Sequence, residues 1–133
     1  MLPACLNSVK ELVDEMIIVD TGSTDETAKI AGDCGANVFY LPWNDDFSES
    51  RNYALKHATG DWILHLDADE VLVQEDIPQV KQIIKNKETN GVYCLFYSTQ
   101  KASSGCSQFY LPRLFRNNIG IYYRGRIHET PVV

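Results

Sequence analysis

Positive charge is scarce in this sequence, and paired cysteines and long apolar runs are missing. The net charge of −6 leaves no surplus of Lys and Arg to hold a phosphate backbone, which argues against a general nucleic-acid binder. Cys5, Cys34, Cys94 and Cys106 are widely and irregularly spaced, with no C-x-x-C pair. Neither a zinc knuckle nor a thioredoxin-type redox motif is suggested, and four reduced thiols packing as small apolar residues are expected. No stretch approaches the roughly 18 to 20 apolar residues needed to cross a bilayer, and no basic segment with a following apolar run opens the sequence. A soluble, cytoplasmic chain is the expectation. Repeats, low-complexity tracts and linkers are absent as well, so the 133 residues, 44% of them hydrophobic, read as one domain with a sizeable core.

What is present is an alternation of buried-type strands and capped helices. The short apolar runs at 16–19, 36–41 and 62–66 suit strands covered on both faces of a parallel sheet. Between the first two, Ser23 and Glu26 form a capping-box signature for a helix that Gly35 stops. Ser48 caps a second helix through about Ala58, before Gly60, and a third runs from about Asp76 to Lys87 with Pro78 in its first turn. Strand, helix, strand, helix, strand in this order predicts a doubly wound, mostly parallel α/β sheet with ligands beyond the strand carboxyl ends. Later segments at 92–97 and 109–117 read as strands joined by a Ser/Gly-rich loop.

Acidic residues close two of the strands. Asp67-Ala68-Asp69 places two carboxylates close together where 62–66 ends, an arrangement that suits a hard divalent cation with open positions for phosphate oxygens. Glu70 either adds to that charge or solvates the turn. Asp20 ends the first strand ahead of a Gly turn in which Ser23 and Asp25 serve the following helix, and no structural task is evident for Asp20 itself; a base N–H is a candidate partner. Arg51 and Asn52 lie in the first turn of the helix capped by Ser48, where a cation opposes the dipole. Arg51 either pairs with Asp45, Asp46 or Glu49 or faces an anionic nucleotide. Residues 1–112 carry 8 basic against 17 acidic residues, whereas Arg113, Arg116, Arg124 and Arg126 face Glu129 alone in the tail. That cationic tail either meets an anionic ligand or protects a sheet edge. His128 and Glu129 add a metal-capable imidazole and a possible general base. His57, on a helix, and His65, between Leu64 and Leu66, read as structural.

The segments I-I-V-D-T-G-S-T-D-E-T (17–27), F-S-E-S-R-N-Y-A-L (47–55), A-T-G-D-W-I-L-H-L-D-A-D-E (58–70), R-L-F-R-N (113–117) and G-R-I-H-E (125–129) together resemble family 2 glycosyltransferases. W-N-D-D-F-S (43–48) and the G-R-I-H-E ending are similar to a bacterial branch that includes peptide S-glycosyltransferases and enzymes with appended helical repeats. The resemblance implies a GT-A fold and metal-assisted, inverting transfer from a nucleotide-sugar donor, with UDP-hexose expected, to a saccharide, lipid or peptide acceptor. It implies that Asp20 contacts the nucleobase, Asp67 the ribose, and Asp69 a Mn²⁺ or Mg²⁺ carrying the diphosphate. Arg51 and Arg126 would line the nucleotide-sugar site, His128 would be a late metal or diphosphate contact, and Glu129 would activate the acceptor.

The alternatives are a nucleotide-diphosphate module without turnover and a nucleotidyltransferase; against the latter, no Gly-rich, Lys/Arg-bearing phosphate loop lies near the start. The family pattern begins with a strand and an N-E-containing loop ahead of Leu2 and continues beyond Val133, so the chain reads as a single, incomplete catalytic domain. Exposed sheet edges would then invite a second copy. Light scattering is expected to show a homo-oligomer, and a monomer alone would contradict that expectation.

Overall fold

A computed structural model describes residues 1–97, 108–125 and 130–132. The chain runs α1 (Leu2–Val9), β1 (Ile17–Asp20), α2 (Thr27–Asp33), β2 (Asn37–Tyr40), α3 (Phe47–His57), β3 (Trp62–Leu64), a 3₁₀ turn (Gln74–Asp76), α4 (Ile77–Ile83), β4 (Gly91–Tyr97), β5 (Gln108–Arg116), β6 (Tyr122–Arg124) and β7 (Thr130–Val132). The expected α/β class holds. Its predicted parallel pairing occurs between β1 and β2, joined through α2. The third expected strand behaves differently: β3 pairs antiparallel with β5, which pairs antiparallel with β4 on its other side, and β6 with β7 forms a further antiparallel ladder. A three-residue apolar strand such as Trp62-Ile63-Leu64 satisfies either ladder, because its pattern reports burial and not the direction of its neighbour.

The helix starts follow side-chain hydrogen bonds that the residue pattern does not rank. Ser23 does not cap α2: its backbone N–H and hydroxyl are both committed to Asp20. The helix begins later, at Thr27, after Asp25 has accepted the Thr27 N–H at 3.0 Å. Gly35 does end α2, at φ +90°, a conformation in which a Cβ is strained. For α3 the cap is Asp46, whose carboxylate accepts from the backbone of Ser48 (2.9 Å) and Glu49 (3.4 Å) and also from the Ser48 hydroxyl (2.6 Å). The expected cap, Ser48, is thus a donor inside the motif. α4 is shorter than 76–87, because Arg116 collects the carbonyls of Asn86 and Thr89 and turns the chain away toward β4.

Buried apolar side chains include Cys5, Leu6 and Val9 of α1, Ala31 of α2, Ile77 of α4, Leu114 and Phe115 of β5 and Tyr123 of β6. Cys5, Cys34 and Cys94 are free thiols, and Cys106 lies outside the described residues. Among the described residues no helix is long and apolar enough to cross a membrane.

Two devices fasten α3, the helix that carries Arg51. The Asp46 cap fixes its start, and Asn52 grips β6 from both sides, donating to the Tyr123 carbonyl (3.0 Å) and accepting the Tyr123 N–H (2.7 Å). Removing the cap with Asp46→Ala is expected to lower the unfolding free energy by about 1 kcal/mol. Urea denaturation checks this, and an unchanged midpoint would show that the carboxylate does not cap α3.

Candidate functional site

The chain leaves β3 still hydrogen-bonded to β5, with the His65 N–H donating to the Arg113 carbonyl at 2.8 Å. It then folds into a tight turn over residues 67–70. The Glu70 N–H donates to the Asp67 carbonyl and the Asp67 N–H donates to Glu70 Oε2, both at 2.9 Å. α1 supports the turn from behind, through Cys5 Sγ donating to the Asp67 carbonyl at 3.4 Å and Ser8 Oγ accepting the Leu72 N–H at 3.0 Å. Burial, followed by the charges of Glu70, Asp67 and Asp69, pushes the Cys5 thiol up to about 11, so it stays protonated near neutrality.

Asp67 is the hub. Its Oδ1 accepts from Arg51 Nη2 at 2.9 Å and from His65 Nε2 at 3.3 Å, and its Oδ2 from Arg113 Nη2 at 3.2 Å. The hydrogen bond from His65, and then the charges of Arg113 and Arg51, outweigh the cost of burial and hold Asp67 well below the usual carboxylate range. Arg113 Nη2 also donates to Glu70 Oε1 at 2.8 Å, while burial raises Glu70 above its ordinary value. Arg51 therefore does pair with a carboxylate, and the one it meets here, Asp67, lies 16 residues away.

His65 is more than a core filler. Its Nδ1 meets the Tyr123 hydroxyl at 2.6 Å, Arg113 Nη1 lies 3.0 Å from each ring nitrogen, and Arg51 Nη1 lies against Nε2. Burial lowers the His65 pKa in the same direction as the two arginines, and the ring is neutral. Tyr123 completes the enclosure, edge-on to His65 and with the Arg51 guanidinium 5.7 Å above its ring.

Asp69, by contrast, is exposed at the apex of the turn and has no hydrogen bond or ion pair among the described residues. Asp67, Asp69 and Glu70 thus divide their tasks. Among the described residues two are neutralised by arginines and one is left unpaired. No three His, Cys, Asp or Glu side chains among the described residues converge on one cation position. The donor set fits a Mg²⁺ or Mn²⁺ of the kind held by one or two carboxylates together with substrate phosphates. Asp69 is the side chain that would hold it.

Asp20 is buried, and its position in the structure corrects the expectation that it has no structural task. Its carboxylate accepts the Gly22 N–H (3.0 Å), the Ser23 N–H (2.8 Å) and the Ser23 hydroxyl (2.7 Å). The Ser23 bonds are the main reason its pKa is lowered. No bond joins Asp20 to Asp67 among the described residues. Arg126, His128 and Glu129 lie outside the described residues.

Sequence reasoning weighed Glu70, Arg113 and His65 singly and did not foresee the network that joins them to Asp67 and Tyr123. One signal was present: a charged Arg113 between Leu111-Pro112 and Leu114-Phe115, in a strand apolar enough to be buried, demands a partner. An apolar cleft lined by Gly91, Tyr93, Pro112, Ile121 and Pro131 lies between β4, β5 and the β6–β7 ladder and contains no charged side chain.

The sequence profile of glycosyl transferase family 2 matches residues 1–131. The chain is 44% identical over 129 residues to a TPR repeat-containing protein of Synechococcus elongatus, a match covering 97% of this chain and 32% of that protein. It is 31% identical over 131 residues to the SPbeta prophage-derived glycosyltransferase SunS of Bacillus subtilis, covering 96% of this chain and 31% of that protein. An uncharacterized glycosyltransferase of Rickettsia felis is 42% identical over 78 residues, or 59% of this chain and 27% of that protein. The chain spans about a third or less of the length of these curated relatives.

The neutral His65 makes stability depend on pH. Its folded pKa lies below the unfolded value of about 6.5, so below that pH the unfolded chain binds the extra proton and stability falls as the pH falls. Urea midpoints are expected to decline between about pH 7.5 and 5.5, and the decline should flatten in His65→Gln. Equal slopes in the two proteins would remove His65 as the cause.

Proposed function

The chain belongs to glycosyltransferase family 2, and from that premise we propose that it carries the donor side of a metal-assisted, inverting glycosyl-transfer site. The observation that carries this reading is the free Asp69 carboxylate beside two carboxylates already neutralised by Arg51 and Arg113. A nucleoside diphosphate brings two or more negative charges, and a surface of three uncompensated carboxylates would repel it. With Asp67 and Glu70 paired, the turn offers one anionic ligand and a cationic flank.

In this proposal Asp69, joined by His128, would hold a Mn²⁺ or Mg²⁺, which would supply positive charge to offset that of the diphosphate. Asp20 faces the base and Asp67 the ribose, while Arg51 and Arg126 line the nucleotide-sugar site. Glu129 takes the proton from the acceptor. The acceptor heteroatom forms a bond to the anomeric carbon as the bond from that carbon to the diphosphate oxygen breaks, and the electron pair leaves with the nucleoside diphosphate. In-line attack inverts the anomeric centre. A UDP-hexose is the proposed donor, and a saccharide, lipid or peptide the acceptor.

Calorimetric titration of UDP with Mn²⁺ tests the donor site. Wild type is expected to bind and Asp69→Ala to bind at least about tenfold more weakly, a difference of about 1.4 kcal/mol. Equal affinity would sink the metal role of Asp69. Mn²⁺-dependent release of sugar from the donor is the expected sign of turnover; binding without release would leave a nucleotide-diphosphate module.

A further inference from the structure

Arg113 occupies an irregular point in its strand. The β4–β5 ladder pairs Val92 with Leu114 but Tyr93 with Pro112, so Arg113 is the extra residue of a β-bulge. A bulge re-aims the side chain it carries, and here Arg113 and its neighbour Leu114 are both buried. The guanidinium passes over Phe96, with Cζ 5.4 Å from the ring centroid, and its Nη2 spans Asp67 Oδ2 and Glu70 Oε1. Its Nε is buried without a partner, a cost the fold carries while the far end of the fork holds two carboxylates. Glu70 closes the loop through Oε2, which accepts the Asp67 N–H.

We propose that Arg113, acting with Glu70, is a positioning residue for the metal site: the pair clamps both ends of the 67–70 turn and so sets where the Asp69 carboxylate points. This inference rests on the donor-site reading above. The Arg113 guanidinium is taken up by Asp67, Glu70 and His65. It acts by fixing the two residues that flank the ligand, as groups behind a metal ligand commonly do. A lysine at 113 would keep the charge and lose the planar guanidinium, whose Nη1 lies against His65 while Nη2 holds both carboxylates.

The test is Mn²⁺ binding at saturating UDP, followed by loss of the free-ion EPR signal. It uses the 133-residue chain and the variants Arg113→Lys, Glu70→Gln, Asp69→Asn and the double variant Arg113→Lys/Asp69→Asn. Arg113→Lys and Glu70→Gln are each expected to weaken Mn²⁺ binding by about 10- to 100-fold. On the Asp69→Asn background the Arg113→Lys loss should disappear, because a clamp has nothing left to position. A loss of the same size on both backgrounds would make Arg113 a general stabiliser and overturn the proposal. So would wild-type Mn²⁺ affinity in both clamp variants while Asp69→Asn is weakened, and that result would leave the donor-site reading standing. Wild-type affinity in Asp69→Asn itself would overturn both. Circular dichroism identifies folded variants, and if Arg113→Lys does not fold, Glu70→Gln carries the same cycle.

Discussion

One carboxylate, Asp67, is shared by two guanidinium groups that reach it from different parts of the fold. Arg51 comes from α3 and Arg113 from β5, while the carboxylate itself stands on the turn after β3. Remove it and the two guanidinium groups lose the carboxylate they share across a partly buried space. Ion pairs taken from water seldom add much net stability, since desolvation offsets most of the attraction. Their effect here is geometric. The helix, the strand and the turn are tied at one point by charges that must be satisfied.

His65 and Tyr123 extend that arrangement. A neutral imidazole between two arginines supplies bulk and hydrogen-bonding capacity without adding charge, and the Tyr123 hydroxyl occupies its remaining nitrogen. Tyr123 is in turn fixed by the two-way bond from Asn52, one residue after Arg51 in α3. The path from Arg51 through Asp67, His65 and Tyr123 back to Asn52 is a closed ring of contacts. Each member limits the freedom of the next, so Arg51 is presented in one orientation although it is a long and flexible side chain.

Much of this was legible in the sequence, and the part that was not has an identifiable physics. The strands at 17–20, 37–40 and 62–64 follow from apolar runs, and Gly35 ends α2 as its freedom at positive φ allows. Asp67-Ala68-Asp69 lies where the pattern placed it, directly beyond β3. Strand direction was not legible, because burial looks the same in either ladder. Neither was the competition for Ser23, which could cap a helix or serve Asp20 and does the latter. For Arg51 the pattern left two partners open, a neighbouring carboxylate or an anionic nucleotide, and the Asp67 pair was not among them because it joins residues far apart in sequence. Arg113 was read only as one of several tail arginines. Its burial depends on the register of β5 against β4, which residue types alone do not set.

The bulge at Arg113 makes the length of β5 matter as much as its composition. On its two sides the strand runs in opposite phase, so the spacing between Leu111 and Leu114 is a structural quantity in its own right. A chain one residue shorter there would restore a regular ladder and send either the guanidinium or Leu114 to the wrong face. Every side chain could be retained in kind and the turn at 67–70 would still lose its clamp. Within this segment, insertions and deletions are more damaging than most substitutions, the reverse of what an exposed loop would tolerate.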